Sequence, residues 1–339
     1  MLAYRFGESF NLDALKIREE PMPTPQRGEV LVRVRAVSLN YRDVSLVLGR
    51  YVWGANPGLV PCSDAAGEIV AVGEGVVDFA PGDRVISTFH PRWFGGRAPK
   101  GAAMQTYGNG VDGWLCEYKA VSQEAVVALP DSIGFEAGAT LPCAATTAWS
   151  ALSGTVPARA GTTVLTLGSG GVSIFALQLA KALGARVVAT TSSDDKADTL
   201  RALGADQVVN YREVTEWGRH VRREVTGGAG VDVVVEVGGP ATINQSLRAV
   251  RPGGEIAVIG FLSEENPGID YFLLKGAGAT IRPISVGDRA ALEDLVRAWS
   301  ATRLQPVIDT TVPFADARAA FERVISGRHV GKVVVEIGD

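Results

Sequence analysis

The hydrophobic positions fall into two regimes along the chain. In the first, which fills roughly the first 125 residues, apolar residues come in short runs broken by turns. Val30-Leu31-Val32-Arg33-Val34-Arg35-Ala36-Val37 alternates apolar with polar over part of its length, as a half-buried strand does. Glu68-Ile69-Val70-Ala71-Val72 reads as a second strand, closed by Gly73 and Gly75. A Pro-Gly-Asp turn at 81–83 sets off a third, through Ile86. Residues 90–113, rich in Gly, Pro and aromatics and without a period, read as a long loop.

In the second regime, strand-like and helix-like runs alternate. Strands are predicted at 163–167, 186–190, 207–210, 231–237, 255–260 and near 279–286, with helices at about 171–183, 194–203 and 240–249. The strands are runs of Val, Leu, Ile and Thr with no polar face, so they are buried on both sides. Repeated βα units of that kind build a parallel, doubly wound sheet. Helices near 288–301 and 316–325 and a strand at 331–337 then read as the chain returning to its first domain. The expected organisation is α/β in two domains: a mostly-β catalytic domain from 1–123 and 288–339, and a cofactor domain from 124–287.

Composition narrows the class. A length of 339 residues suits two cores, and 46% hydrophobic with 21% charged residues is ordinary for a soluble chain. The net charge of −4 argues against a nucleic-acid or anionic-membrane surface. No apolar run is long enough for a membrane span. The N-terminus, MLAYRFGESF, lacks the basic-then-apolar pattern of a secretory signal. Cys62, Cys116 and Cys143 are odd in number and far apart, as in reduced cytosolic proteins, and a cytoplasmic location is expected.

The first chemistry-bearing stretch is Gly168-Ser169-Gly170-Gly171-Val172-Ser173, which follows a strand and opens a helix. That is dinucleotide-binding context. Gly168 permits the tight turn, Gly170 lets backbone approach a pyrophosphate, and Gly171 and Val172 begin the helix whose free N–H groups face the anion. Ser173 takes the place of a third Gly or Ala, which predicts a slightly looser helix–strand contact. At the end of the second strand an NAD site usually carries Asp or Glu, but this chain has Thr191, Ser192 and Ser193 before Asp194. Hydroxyls can bond a 2′-phosphate and Lys196 can neutralise it, so NADP(H) is the favoured cofactor. Asp194 and Asp195 are expected to cap the next helix.

The second stretch is VPCSDAAG at 60–67, which sets a thiol, a hydroxyl and a carboxylate side by side. On extended backbone adjacent side chains point to opposite faces, so the three do not converge on one substrate atom.

Taken together, Gly67-Glu68-Ile69-Val70-Ala71-Val72-Gly73, Pro81-Gly82-Asp83-Arg84-Val85, Gly113-Trp114-Leu115-Cys116-Glu117-Tyr118 and Gly331-Lys332-Val333-Val334 make the whole chain resemble the medium-chain dehydrogenase/reductase superfamily. The resemblance implies a GroES-like catalytic domain, a Rossmann cofactor domain, a substrate cleft between them and a homodimer. In the zinc alcohol dehydrogenases of that superfamily, catalytic zinc is held by Cys, His and Cys. The matching positions here are Asn40, Ser63 and Cys143, with Asp64 where a Glu follows the His. No metal site is expected. Leu39-Asn40-Tyr41-Arg42-Asp43-Val44 and Gly49-Arg50-Tyr51 are instead similar to the zinc-free quinone oxidoreductases and the enoyl reductases of polyketide assembly.

From that resemblance, Asn40 is a candidate donor to the substrate oxygen or to the nicotinamide ribose, with a turn-stabilising amide as the plain alternative. Tyr51 is a candidate proton donor to the α-carbon, or a residue that only lines the cleft. Asp43 is read as anchoring its own turn. Ser192, Lys196 and Tyr211 match the 2′-phosphate pattern, and Lys332 matches a cofactor contact, against an ordinary surface lysine. Thr147 opens a helix over the nicotinamide, and Val237, Gly238 and Phe261 stand at strand C-termini, the edge where such sheets bind ligands. Trp53, Trp93 and Phe94 are expected in the cleft wall. The function expected is hydride transfer from NADPH to a quinone or to the C=C of an α,β-unsaturated carbonyl compound. An alcohol or aldehyde dehydrogenase of the same superfamily and a non-catalytic cofactor-binding protein are the alternatives.

Overall fold

The computed structural model describes residues 1–50, 55–263 and 265–338. The chain forms two units, Met1–Thr146 with Gly287–Asp339, and Thr147–Val286.

The first unit is built on one long strand, Glu29–Leu39, whose alternating Val30, Val32, Val34 and Val37 are buried. Asp64–Val72 and Tyr118–Ser122 pair with it antiparallel, and so does the returning strand Lys332–Glu336, which sets Val333 opposite Leu39. Ile308–Pro313, Arg84–Ser87 and Val126–Ala128 complete a seven-stranded sheet. Its core holds Ile69, Trp114 and Phe321. The boundary expected after residue 123 falls instead between Thr146 and Thr147. The reason is pairing: Val126–Ala128 joins Arg84–Ser87, and the helix Phe135–Ala139 packs on Glu29–Leu39 and Asp64–Val72.

The second unit is a six-stranded parallel sheet. Its order is Gln207–Asn210, Arg186–Thr191, Thr163–Leu167, Val231–Glu236, Val250–Val258 and Thr280–Pro283. Ranked along the chain that is 3-2-1-4-5-6, the Rossmann order, with the topological switch beside Thr163–Leu167. The fifth strand begins at Val250, earlier than the sequence pattern indicates, because its Pro252-Gly253 start is accommodated by a register shift. The helix expected from 240 begins at Ile243. The preceding loop is held open by Glu236, which is fully buried and accepts from Gly238 N (2.9 Å), Gly239 N (3.0 Å), Thr242 Oγ1 and Ser246 Oγ. Four donors to one buried carboxylate fix the loop at the C-terminal end of that central strand.

Some elements are absent from the sequence reading. The helix Tyr41–Val47 is one, and the helix Phe135–Ala139 with the widened π turn Leu141–Ala145 is another; both pieces lead into Thr146–Leu152, the helix expected to open at Thr147. Among the described residues no helix is long and apolar enough to cross a membrane.

Candidate active site

The glycine turn has the geometry its sequence implies. Gly168 is left-handed (φ +76°) and its N–H bonds Thr190 O at 3.0 Å. Gly170 is extended at the N-cap of the helix Gly171–Ala182, and a Cβ built on it would meet nothing within 4 Å. The bare backbone there faces open space, with Gly171 and Val172 in the first helical turn, where N–H groups lack intrahelical partners. Ser173 does not loosen the turn. Its hydroxyl is buried and donates to Leu167 O at 2.6 Å, tying the helix to the end of the preceding strand.

At the end of the second strand Thr191 is buried, and its hydroxyl donates to Ser193 O at 3.3 Å. That hydroxyl is turned onto its own loop and is the least available of the set. Ser192 and Lys196 are half-buried, and Tyr211 is exposed beside them, its N–H bonded to Thr191 O at 2.9 Å. Asp194 and Asp195 are not caps. Ser193 is the N-cap, and the two carboxylates lie in the first turn of the helix, Asp194 accepting from Asn210 Nδ2 at 3.3 Å. They favour the positive end of the helix dipole without capping it. Val237, Gly238 and Phe261 lie at the C-terminal ends of adjacent strands, Phe261 about half exposed. The Gly238 N–H is already taken by Glu236. Thr147 is buried in the helix Thr146–Leu152.

In the first unit a polar network forms where the sheet brings distant segments together. Ser38 stands opposite Asp64 on one side of the long strand and opposite Val334 on the other, which brings Asn40, Ser63, Asp64 and Lys332 into one neighbourhood. Lys332, only 3% exposed, is no surface lysine. Its ammonium donates to Leu39 O and to Asn40 Oδ1. Asn40 Nδ2 donates to Ser63 Oγ at 3.3 Å, and Ser63 Oγ donates to Asp64 Oδ1 at 2.6 Å. The second oxygen of Asp64 accepts from Cys143 N at 2.9 Å, an N–H that the widened turn at 141–145 leaves outside the regular helical ladder. The adjacent Ser63 and Asp64 side chains thus bond each other, and with Asn40 they form one chain from cation to anion.

Asp43 holds the turn, as read from the sequence: its Oδ2 accepts from Asn40 N at 2.8 Å. Arg42 is buried and structural, reaching Tyr107 O (2.6 Å) and Thr106 Oγ1 (3.0 Å). Trp93 folds into its own loop, with Nε1 on Gly96 O at 3.0 Å, and Phe94 is exposed. Tyr51 and Trp53 lie outside the described residues.

The donor set at 40, 63 and 143 does not fit zinc. Asn40 Oδ1 already accepts from an ammonium and Ser63 spends its proton on Asp64, which leaves Cys143 as the one side chain of the three of a type that ordinarily ligates zinc. Among the described residues no group of three or more His, Cys, Asp or Glu side chains is placed to hold a metal ion.

Burial also pushes the Asp43 carboxyl up to about 6, against the pull of Arg42, and Asp43 Oδ1 has no hydrogen-bond partner among the described residues. An unfolded Asp titrates near 3.8. From about pH 4 to about pH 6 the folded chain therefore holds a proton that the unfolded chain has lost. The favourable contribution of this group is complete below that window and disappears as pH rises through it. Asp43→Asn keeps a carbonyl acceptor for Asn40 N–H and cannot ionise. Its urea stability relative to wild type is expected to improve by about 2 kcal/mol between about pH 4 and pH 7. A variant whose pH profile runs parallel to wild type would show that Asp43 titrates as an ordinary carboxyl.

Comparison with known proteins agrees with this architecture. Residues 26–131 match the family model described as alcohol dehydrogenase GroES-like domain, and residues 171–301 match zinc-binding dehydrogenase. The chain is 38% identical to zinc-type alcohol dehydrogenase-like protein C1773.06c of Schizosaccharomyces pombe, over 97% of each chain. It is 32% identical to acryloyl-coenzyme A reductase of Metallosphaera sedula, over 94% of this chain and 96% of that one. A mycobacterial protein solved in complex with NADPH superposes with a TM-score of 0.82 at 27% identity, over 99% of this chain and 100% of that one. With its GroES-like sheet, its Rossmann order and these full-length likenesses, the chain belongs to the medium-chain dehydrogenase/reductase superfamily, and it is an oxidoreductase of the dehydrogenase type.

Proposed function

We propose that the chain is an NADPH-dependent reductase that works without zinc on a quinone or on the C=C bond of an α,β-unsaturated carbonyl compound. The observation that carries this reading is the network at Asn40. Where a zinc relative would set its metal ligands, this chain has an amide bonded to a buried ammonium at one end and donating toward a carboxylate at the other.

NADPH, when bound, supplies the hydride; the protein supplies position and charge. Gly168 and Gly170 give the pyrophosphate its bare approach at the helix N-terminus, and Ser192, Lys196 and Tyr211 take the 2′-phosphate. Asn40 Nδ2 donates to the carbonyl oxygen as it gains enolate charge, which is where a fixed donor contributes most. Tyr51 supplies the proton to the α-carbon in this reading, and Lys332, assigned to the cofactor by resemblance, stands one bond from Asn40. The likeness to an acryloyl-coenzyme A reductase supports the C=C substrate class. The second reading, an alcohol dehydrogenase, is favoured by the name of the fission-yeast relative. A homodimer belongs to the first reading too: Thr280–Pro283 is an edge strand, and the nearby Tyr271 and Phe272 are 67% and 81% exposed. So does a cytoplasmic setting, with Cys62, Cys116 and Cys143 outside any disulfide.

The test is oxidation of NADPH and NADH against quinones, enones, enoyl thioesters and aldehydes, with metal analysis of the same preparation. Turnover of enones or quinones with NADPH preferred and no dependence on zinc is expected. Stoichiometric zinc whose chelation abolishes turnover would overturn the reading, and a strong preference for NADH would overturn the role given to Ser192 and Lys196.

A further inference from the structure

We infer that Lys332 is a positioning residue for Asn40: its buried ammonium fixes the sense of the Asn40 amide and polarises it, making that end of the site a donor-only wall. The inference rests on the role proposed for Asn40 above and replaces the cofactor contact expected for Lys332 from resemblance, since the ammonium is spent on Leu39 O and Asn40 Oδ1.

An ammonium has three donors and no acceptor, so whatever it touches must accept. Lys332 Nζ touches Leu39 O and the Asn40 side chain, and the amide atom facing it is therefore the oxygen. The nitrogen faces Ser63, whose own proton goes to Asp64. Every link in the series runs the same way: Lys332 to Asn40, Asn40 to Ser63, Ser63 to Asp64. A carboxylate at the far end, with Cys143 N–H as its second donor, closes the series on a negative charge. Withdrawal of electron density at Oδ1 by a full positive charge makes the Nδ2 hydrogens better donors, the cooperative strengthening expected where hydrogen bonds polarise one another in a buried site.

The charge balance agrees with a built arrangement. A lysine at 3% exposure is costly unless paired, and Lys332 feels the charge of two buried carboxylates, Asp43 and Asp64, while its direct contacts are the neutral Leu39 O and Asn40 Oδ1. The separation is bridged by Asn40 and Ser63 instead of being closed by a lysine–carboxylate contact. That leaves Asn40 in the middle of the field, where a substrate oxygen would draw on it.

Four variants test this: Lys332→Met, Lys332→Gln, Asn40→Ala and the double variant, each checked for folding by thermal melting. Lys332→Gln keeps a donor for Asn40 Oδ1 without charge, and it serves alone where Lys332→Met does not fold. With NADPH and an enone or quinone, Lys332→Met is expected to lower kcat about tenfold to hundredfold, less than the roughly hundredfold to thousandfold of a lost transition-state donor because Nδ2 remains, with NADPH affinity within about twofold of wild type. Lys332→Gln should fall between the two. In the Asn40→Ala background the same change should cost little further, because residues acting through one another are not additive. The Asn40 side-chain amide signals, assigned in 15N-labelled protein by their loss in Asn40→Ala, should shift in Lys332→Met. Three results would each overturn the inference: a large loss of NADPH affinity at unchanged kcat, additive losses in the double variant, or unmoved amide signals. If wild type reduces none of the acceptors, the proposed function fails, and the amide signals alone decide whether Lys332 sets Asn40.

Discussion

Asn40→Asp is expected to lower kcat for enone or quinone reduction by about a hundredfold or more while leaving the protein folded. The carboxylate keeps an acceptor for Lys332, which Asn40 Oδ1 now satisfies, and turns that contact into an ion pair. The backbone N–H of residue 40 still has Asp43 Oδ2. What the substitution removes is Nδ2, the donor, and it puts a negative charge where enolate charge would develop. The oxygen it adds also faces Ser63, whose proton can move between two acceptors. The new carboxylate also faces Asp64, so some stability is lost, but far less than activity. The measurement is steady-state kinetics with melting temperature as control, and a fully active Asn40→Asp would remove Asn40 from the chemistry.

The second large effect is at the glycine turn. Gly170→Val is expected to weaken NADPH binding roughly tenfold to hundredfold, an overlap of about 1–3 kcal/mol between a branched side chain and the ligand, while the melting temperature falls only by the few degrees that a poor N-cap residue costs. The separation of the two effects comes from local geometry. Gly170 has ordinary negative φ, −76°, and its Cβ would meet nothing within 4 Å, so the folded protein has no steric reason of its own to require glycine there. Gly168 differs, because its left-handed φ makes any side chain strained with or without cofactor. Fluorescence titration with NADPH reads the first effect, and equal affinity in Gly170→Val would place the pyrophosphate elsewhere.

The parallel sheet was legible from sequence because its central strands are buried on both faces. The run Thr163–Leu167 carries a continuous apolar or β-branched signal with the bounds the structure shows. The short strands Leu2–Arg5, Lys16–Glu19 and Ile308–Pro313 carry no such signal, since their residues are mostly half-buried or exposed. Tyr41–Val47 escaped because it is buried nearly all round, which hides a helical period. At the site, Asn40 and Ser63 at two positions where zinc relatives carry ligands, with Cys143 kept at the third, were visible residue by residue. The contact between Lys332 and Asn40 was not. It spans 292 positions and depends on the returning strand pairing beside Glu29–Leu39, which no local pattern encodes. Thr191 shows the opposite limit: the residue type was right for a phosphate, but the direction of its hydroxyl is settled by a bond to Ser193.

Cys62 is left-handed, with φ +70°, although it is not a glycine. Around it stand two glycines that have no such latitude: a Cβ on Gly108 would come within 2.8 Å of Cys62 N, and one on Gly113 within 2.2 Å of Cys62 O. Tolerance to change in this turn is therefore the reverse of what its chemistry suggests. Glycine is the natural replacement at 62, where it would relieve strain at the loss of a small buried thiol. At 108 and 113 no side chain fits beside that backbone. The segment from 90 to 113 meets the stretch that carries Ser63 and Asp64 at those two glycines, and Asp112 Oδ1 ties it to Val60 N at 3.0 Å as well. Where the Ser63–Asp64 backbone sits thus depends in part on two residues that have no side chain at all.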